Sequence, residues 1–338
     1  MRILVAPDKF RGTLTAAQAA AAIAAGLKRE GHEVLEMPLA DGGEGTLDVL
    51  GGANRATVVT GPLGDPVEAP WRLASRKAVI ESAYASGLSL VGGAAGNDPV
   101  AATSVGTGEL VSTAVDNGAK EVVVALGGSA MTDGGLGALR ALYPLPRLKG
   151  VRLTVACDVQ TRFVDAARTF GAQKGATPPQ VELLTRRLTA LADNYESDYG
   201  IDVREMPGSG AAGGLAGGLA CAGAELVSGF DLVAETLGLD EVLAGVDAVV
   251  TGEGFLDEES FEGKVVGGVL DAASHAGVPV VSVVGEAFDG ASDRVPTVSL
   301  VAQYGRDRAL SDPADALFES APGIAGLLES TGGTATDH

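Results

Sequence analysis

The residues of this sequence that could do chemistry lie in glycine-rich segments, most of which directly follow a short apolar run. Residues 8–13 (DKFRGT) bring Asp8, Lys9 and Arg11 together, and two cations beside an acid suit a small carboxylate or a phosphate. Residues 41–46 (DGGEGT) place two carboxylates among three glycines, which suits a divalent metal, a hydroxyl group or proton abstraction. Solvated charges and a tight turn with a capping acid are the alternatives for these two segments.

A third segment, residues 127–135 (GGSAMTDGG), has the composition of a phosphate-binding loop. Glycines expose backbone N–H groups, Ser129 and Thr132 add hydroxyls, and a helix is expected to start there. The GxxxxGK[ST] pattern of the P-loop is absent from the sequence. A GxGxxG pattern after the first strand is absent too, so the residues give a dinucleotide fold no specific support.

Three more segments complete the candidate set. Asp158 ends an apolar run and suits either a Mg²⁺ ligand or a helix N-cap, while residues 173–175 (QKG) put a cation beside a glycine. Residues 252–257 (GEGFLD) supply two acids, and residues 263–264 (GK) follow with a lysine that suits a helix start or a nucleotide phosphate. Because phosphoryl transfer requires cations and metal ions on the phosphates and a carboxylate at the attacking hydroxyl, this mixture predicts phosphate chemistry.

Composition excludes several other classes of function. A formal net charge of −20 repels nucleic-acid backbones, so no nucleic-acid partner is expected. The three histidines and two cysteines lack metal-site or CxxC spacing. No apolar run approaches the ~18–20 residues of a membrane span, and the first residues lack a signal-peptide pattern. The sequence therefore predicts a cytoplasmic protein without a membrane partner.

The pattern of predicted elements indicates an α/β fold with two domains. Strands are predicted at residues 2–6, 32–40, 55–60 and 76–83 and in four later apolar runs, and helices at 15–31, 107–116 and 178–199. Residues 61–71, with three prolines, are predicted to be turn-rich. We expect a Rossmann-like parallel-sheet domain from residues 1–58 and 230–330, an inserted α/β domain with a mixed sheet from 59–229, and a frayed tail at 331–338.

These segments also resemble, in order, the motifs of the type I glycerate kinases (glycerate 2-kinases). The similar segments include APDKFRGTLTA, PLADGGEGT, VTGPLGDPV, ALGGSAMTDGG, FGAQKGA and VTGEGFLDEESFEGK, and they span about residues 1–290. The resemblance implies a two-domain α/β fold and phosphorylation of D-glycerate by ATP with Mg²⁺, with 2-phosphoglycerate as the favoured product. The positions that match the family motifs are Asp8, Asp41, Gly42, Gly43, Glu44, Gly127, Gly128, Ser129, Asp133, Asp158, Gln173, Lys174, Glu253, Asp257 and Lys264.

The kinase hypothesis assigns a predicted role to each of these groups. We expect Asp41, Asp133 and Lys9 to be catalytic, with Asp41 or Asp133 as the base or a metal ligand. The predicted metal ligands are Asp158 and Asp133. The substrate-binding set is predicted to be Asp8, Lys9, Arg11, Gly42, Gly43 and Glu44, and the nucleotide-binding set Gly127, Gly128, Ser129, Gln173, Lys174, Glu253, Asp257 and Lys264.

The sequence departs from the family pattern around the expected substrate pocket. Lys9 and Arg11 stand where the family has serine and lysine, Thr132 replaces an asparagine, Glu259 replaces a glutamine, and the segment after Asp158 is shorter. Two alternatives therefore stay open: the same kinase machinery acting on a related sugar acid or polyol, and a non-kinase nucleotide-binding α/β protein. The sequence leaves monomer and homodimer equally open.

Overall fold

The apolar runs of the sequence form the strands of two sheets in a computed structural model that describes residues 1–288 and 290–332. One compact unit comprises Met1–Asp41 and the chain from Phe230, and the other comprises Gly42–Gly229. The sequence put the first division at residue 58. The structural division falls earlier, and the strand at Arg55–Thr60 belongs to the sheet of the second unit. Residues 333–338 of the predicted frayed tail lie outside the described residues.

The strands of the described residues are numbered in chain order. They are β1 (Arg2–Val5), β2 (Glu33–Glu36), β3 (Arg55–Thr60), β4 (Pro66–Ala74), β5 (Lys77–Glu81), β6 (Glu121–Ala125), β7 (Arg152–Ala156), β8 (Glu225–Val227), β9 (Ala248–Leu256), β10 (Val280–Ala287) and β11 (Thr297–Ser299).

The α-helices of the described residues are numbered in the same way. They are α1 (Ala16–Arg29), α2 (Thr46–Val49), α3 (Ala83–Ser86), α4 (Val105–Asp116), α5 (Leu136–Ala141), α6 (Ala166–Phe170), α7 (Pro178–Tyr199), α8 (Ala211–Cys221), α9 (Gly229–Leu237), α10 (Leu239–Leu243), α11 (Val265–Ala276), α12 (Leu300–Tyr304), α13 (Arg306–Ser311), α14 (Pro313–Glu319) and α15 (Ala321–Gly332). Short 3₁₀ turns lie at Ser89–Val91, Leu145–Leu148, Phe163–Asp165, Ala172–Lys174, Glu258–Phe261 and Ala291–Asp293.

The first unit is built on a five-stranded parallel sheet in the order β11-β10-β9-β1-β2. Alternate strand residues such as Ile3 and Val283 pack with α1, α14 and α15 in one buried cluster. Val284, next to Val283 in the strand, packs with α11 in a second cluster. Since neighbouring strand residues point to opposite faces, helices cover both faces of this sheet. The predicted Rossmann-like parallel sheet is confirmed.

Local sequence signals account for the first helix of this unit. Thr15 accepts a hydrogen bond from the backbone N–H of Gln18, and the Gln18 side chain accepts one from the backbone N–H of Thr15. This capping box satisfies two N–H groups that the helix itself leaves without partners. The apolar face of α1, which includes Ile23 and Leu27, is fully buried.

The second unit contains a six-stranded mixed sheet in the order β3-β4-β5-β6-β7-β8. The pairs β3–β4 and β4–β5 are antiparallel, and the pairs from β5 to β8 are parallel. Trp71, Ile80 and Leu110 lie in the main core, and Phe163 and Tyr195 pack in a second cluster beneath α7. The predicted second α/β domain with a mixed sheet is confirmed.

The prediction of a turn-rich segment at residues 61–71 holds for its first half, at residues 61–65, and is wrong for its second half, which belongs to β4. Pro70 pairs with Ala56 of β3, and a proline has no N–H for a ladder hydrogen bond. This pair must therefore be a non-hydrogen-bonded one, with the nitrogen of Pro70 directed away from β3. On that other side β5 pairs only with Arg72–Ala74, so no donor is needed at Pro70. Within the described residues, every helix is too short or too polar to cross a membrane.

Leu110 supplies a test of the core of the second unit. It is fully buried, and Leu110→Ala is expected to lower the free energy of unfolding by about 2–5 kcal/mol through lost apolar contact and the cavity left behind. The matched control is Leu90→Ala, at a side chain that is 40% exposed, with an expected change below about 0.5 kcal/mol. Urea denaturation monitored by Trp71, the single tryptophan and a member of the same core, measures both. Equal losses in the two variants would contradict this packing.

Candidate active site

Two acidic segments meet at one edge of the parallel sheet in the first unit. Strands β1 and β9 are adjacent and parallel. Asp8 follows β1, and Glu253 lies in β9 beyond the residues that pair with β1, so both are at the same edge. The backbone N–H of Asp8 donates to the carbonyl of Gly252 at 2.8 Å. A Cβ at Gly254 would lie 3.0 Å from the backbone nitrogen of Arg11, so this glycine lets the two loops approach closely. The carboxyl edge of a parallel sheet is where ligands bind in such folds.

Lys9 connects two acids at this edge. Its ammonium nitrogen lies 3.4 Å from Asp8 Oδ1 and 3.7 Å from Asp41 Oδ1. Asp8 is only 7% exposed, and burial raises the pKa of its carboxyl above the usual range, while Lys9 lowers that pKa and Asp41 raises it. The positive charge of Lys9 is thus partly compensated by Asp8 and Asp41, whereas the neighbouring Arg11 is exposed to solvent.

Glu253 is the other perturbed acid of this group. Burial raises the pKa of its carboxyl to about 7. A hydrogen bond from Ser260 lowers that pKa, and the charge of Asp8 raises it further. Its Oε1 is buried and has no hydrogen-bond partner among the described residues. Asp257 caps the following 3₁₀ turn by accepting from the N–H of Ser260 at 3.0 Å, and Lys264 lies 3.4 Å from Glu259. Asp257 therefore shapes the turn that follows Glu253.

In the second unit the segment after Asp41 packs against the glycine-rich loop at residues 127–135. A Cβ at Gly127 would lie 3.1 Å from both the backbone nitrogen of Glu44 and the Cα of Gly43. Gly128 has φ +54°, and a Cβ there would lie 2.1 Å from Glu44 Oε1. The positive φ at Gly128 favours glycine, and a side chain at Gly127 would press on the backbone of the neighbouring loop. The structure thus brings together two of the segments that the sequence singled out.

Asp133 is the hydrogen-bond centre of this glycine-rich loop. Its Oδ2 accepts from the backbone N–H and hydroxyl of Ser104, both at 2.8 Å, from the Thr103 hydroxyl at 3.3 Å and from Gly137 N–H at 3.2 Å. Its Oδ1 accepts from Gly135 N–H at 3.0 Å. These five donors include N–H groups at the start of α5, so the side chain already fills the place where a helix N-terminus would hold a phosphate. Asp133 therefore stabilises the loop.

Lys174 lies beneath the same loop. It is 2% exposed, and its ammonium donates to the Ser129 hydroxyl at 2.9 Å and to the Met131 carbonyl at 2.6 Å. Burial lowers the pKa of Lys174 to about 7, although the negative charge of Asp133 acts to raise that pKa. The amide of Asn97 donates to the carbonyls of Ala130 and Lys174, which ties the loop to the lysine. In this structure the lysine holds the loop, whereas the neighbouring Gln173 is exposed.

Asp158 has a local role in the second unit as well. It follows β7, and its Oδ1 accepts from the backbone N–H of Gly229 at 2.8 Å and from the Ser228 hydroxyl at 3.4 Å. Gly229 is the first residue of α9, so the carboxylate lies at a helix start, as the helix-capping alternative predicts. A Cβ at Gly42 would lie 2.6 Å from the Cα of Gly229, which brings the segment after Asp41 close to this point.

The donor set is only partly suited to the predicted magnesium ion. Among the described residues, no group of three or more His, Cys, Asp or Glu side chains could hold a metal. Mg²⁺ commonly uses one or two carboxylates together with substrate phosphates and water. Asp133, with five protein donors on its two oxygens, does not fit that need. Glu253 fits it better because its buried Oε1 has no partner among the described residues.

Sequence reasoning missed two residues that shape these loops. Glu81 ends β5, is 3% exposed and accepts from the backbone N–H of Leu47 at 2.6 Å. Tyr195 of α7 is 2% exposed and donates its hydroxyl proton to the carbonyl of Gly134 at 2.9 Å. An acid at the end of an apolar strand was a readable signal for Glu81. Nothing in the sequence around Tyr195 separates it from the other apolar-face residues of α7.

The buried lysine predicts a pH dependence of stability. The native pKa of Lys174 is about 7 against an ordinary 10.5, so between these values the unfolded chain binds more protons at this residue. The free energy of unfolding should therefore rise with pH over this window, by at most about 1.4 kcal/mol per pH unit. Urea denaturation between pH 7.5 and 9.5 should show this slope in the wild type. Lys174→Met should flatten it, and Lys149→Met, at an exposed lysine, should keep it. An unchanged slope in Lys174→Met would contradict the assignment.

Comparison with known proteins identifies the family. The model of the glycerate kinase family matches residues 3–143 and 144–328. A protein named glycerate 2-kinase from Escherichia coli (strain K12) is 37% identical over 351 residues, covering 92% of this chain and 90% of its own length. Glycerate kinase from Bacillus subtilis (strain 168) is 36% identical, with 98% and 93% covered.

A solved structure extends this likeness to the fold. The crystal structure of a protein provisionally named glycerate kinase 2, from Salmonella typhimurium LT2, superposes with a TM-score of 0.83 at 34% identity. The match covers 98% of this chain and 99% of that one. The chain therefore belongs to the glycerate kinase family and is a kinase.

Proposed function

We propose that this enzyme transfers the γ-phosphoryl group of ATP to D-glycerate, with Mg²⁺, and forms 2-phosphoglycerate. The observation that carries the proposal is the family match along residues 3–328, together with relatives that are named for glycerate phosphorylation. The site residues support it, because acids and cations lie at the carboxyl edge of a parallel sheet, where small ligands bind. Cytoplasmic location stays a prediction.

The first unit carries the groups proposed for the acceptor. Asp41, held 3.7 Å from the ammonium of Lys9, is the proposed base for the attacking hydroxyl of glycerate. Lys9 orients Asp41 and Asp8, and its charge opposes the rise that burial causes in the pKa of Asp8. Because two acids compensate Lys9, the exposed Arg11 is the better cation for the substrate carboxylate, which its planar guanidinium can bind through two hydrogen bonds.

ATP and Mg²⁺ are the proposed cofactors. Glu253, with its buried and available oxygen, is the proposed protein ligand for the metal, and Lys264 is proposed to contact the nucleotide phosphates. Bound Mg²⁺ would offset charge on the transferred phosphoryl group. In the second unit, Asp133 and Lys174 are proposed to hold the loop that contains Gly127, Gly128 and Ser129 in its shape.

Release of ADP in a coupled assay over a panel of small hydroxy acids, sugar acids and polyols tests the activity. We expect D-glycerate to give the highest kcat/KM of the panel, and the rate to require a divalent cation. Turnover of a sugar acid or polyol without turnover of glycerate would reject the substrate and keep the kinase. Binding of nucleotide without ADP release for any acceptor would reject the proposed reaction.

The assignment of Arg11 to the substrate carboxylate gives a second prediction. Arg11→Met should lower kcat/KM for glycerate by about 10–100-fold, because a charge-assisted hydrogen bond contributes about 1.5–3 kcal/mol. The KM for ATP should stay near the wild-type value. Arg186→Met, at an exposed arginine of α7, is the matched control and should leave both constants unchanged. A loss confined to the KM for ATP would place Arg11 with the nucleotide and contradict the assignment.

A further inference from the structure

Glu81 is a buried carboxylate to which neither the motifs nor the matched families assign a role. It ends β5 and is 3% exposed. Its Oε1 accepts from the backbone N–H of Leu47 at 2.6 Å, and the backbone N–H of Gly45 is a second donor to the carboxylate. These are N–H groups at the start of α2, a four-residue helix whose cap residue Gly45 provides no side-chain hydrogen bond. Glu81, at the end of β5, therefore supplies the hydrogen-bond acceptor that the start of α2 lacks.

The consequence reaches the loop that precedes α2. Glu44 stands directly before Gly45, and its Oε1 occupies the space where Gly128 would otherwise have a Cβ. The backbone of Gly43 and Glu44 also lies close to Gly127, where a Cβ would be 3.1 Å from the Gly43 Cα and the Glu44 nitrogen. By fixing the end of the segment 42–46, Glu81 thus fixes where Glu44 meets the glycine-rich loop.

The electrostatic surroundings of Glu81 argue against a purely stabilising role. Burial raises the pKa of its carboxyl to about 7, the two backbone donors lower it, and the charges of Asp48 on α2 and Glu44 in the loop raise it. The phenol of Tyr84 on α3 lies in the same acidic environment: burial raises its pKa, and the charges of Glu81, Asp48 and Glu44 raise it further. Burying an acid among other acids costs stability, and a role in positioning the loop would explain why the carboxylate is there.

We propose that Glu81 is a positioning residue of the phosphoryl-transfer reaction, which anchors the start of α2 so that Glu44 is held against the Gly127–Gly128 loop. This inference rests on the proposed function for its kinetic consequence. Glu81 acts through Glu44 and the 42–46 backbone and does not itself contact substrate. A misplacement of about 1 Å in a group that orients a substrate can cost 10²-fold in rate.

Two substitutions of Glu81 and two matched controls test the proposal. Glu81→Ala removes both acceptor oxygens and should lower kcat/KM for glycerate by about 10–100-fold, with the KM for ATP within about twofold of wild type. Glu81→Gln keeps one acceptor oxygen for Leu47 and should retain kcat/KM within about threefold. Rescue by the glutamine variant is expected from positioning and is not expected if the charge itself takes part in the chemistry.

Glu109 provides the control because it makes the same kind of contact elsewhere in the second unit. It accepts from the backbone N–H of Thr60 at 2.7 Å and from the Thr60 hydroxyl at 3.0 Å. Glu109→Ala and Glu109→Gln should lower thermal stability without changing the kinetic constants. An equal loss of kcat/KM in Glu81→Ala and Glu109→Ala would overturn the proposal, because loss of stability alone would then explain both.

Hydrogen exchange measured without substrate separates this inference from the proposed function. Glu81→Ala should speed exchange of the Leu47 amide by at least about tenfold relative to wild type, and Glu81→Gln should speed it much less. Unchanged exchange in Glu81→Ala would overturn the anchor whatever the kinetics show. If the wild-type protein transfers no phosphate to any acceptor, the proposed function fails and the exchange result still decides the anchor. If Glu81→Ala does not fold, Glu81→Gln carries the test, and a tenfold loss of kcat/KM in that variant would contradict positioning.

Discussion

The loop architecture of the second unit depends on the close approach of two glycine-containing backbone segments, residues 42–46 and residues 127–128. A Cβ at Gly127 would lie 3.1 Å from the backbone of Gly43 and Glu44, and a Cβ at Gly128 would meet the Glu44 carboxylate at 2.1 Å. A close backbone approach of this kind fixes side chains without help from large apolar contacts. It also has to be held from outside, because glycines have the greatest conformational freedom to lose. The surrounding polar and aromatic groups supply that restraint.

The side chains that hold these loops in place are buried and charged, in a protein whose surface is strongly acidic. Asp133 collects five donors around the start of α5, Lys174 holds the Ser129–Met131 backbone from beneath, and Glu81 holds the start of α2. The shifted pKa values of Lys174 and Glu81, both about 7, express what it costs to bury these charges. In the first unit burial likewise raises the pKa values of Asp8 and Glu253. There one carboxylate oxygen, Glu253 Oε1, is buried and has no hydrogen-bond partner among the described residues.

The sequence predicted the parts of this arrangement that depend on local pattern. The parallel strands, the capped helix α1 and the long helix α7 follow from apolar spacing and, for α1, from Thr15 as the capping residue. Strand β4 was missed because two prolines in nine residues argue against a strand unless the pairing of both neighbours is known. The strand-end segments were found because glycines and charges stand together in the sequence.

The sequence could not show which charged side chains already have hydrogen-bond partners within the protein. Asp133 and Lys174 were predicted to be catalytic, metal-binding or nucleotide-binding residues, and in the structure both are occupied by loop contacts that cross 29–45 residues of chain. Such pairings depend on long-range packing rather than on spacing. The same is true of Glu81, whose partner Leu47 lies 34 residues away.

The most direct test of the central claim is ³¹P NMR of the product formed from ATP and D-glycerate. The account predicts a new phosphate-ester resonance that is split into a doublet by the single proton on C2, as 2-phosphoglycerate requires. A triplet from two coupled protons would place the phosphate on the terminal hydroxyl and contradict the product. The absence of any ester, with ATP unchanged or hydrolysed to inorganic phosphate, would contradict the reaction itself.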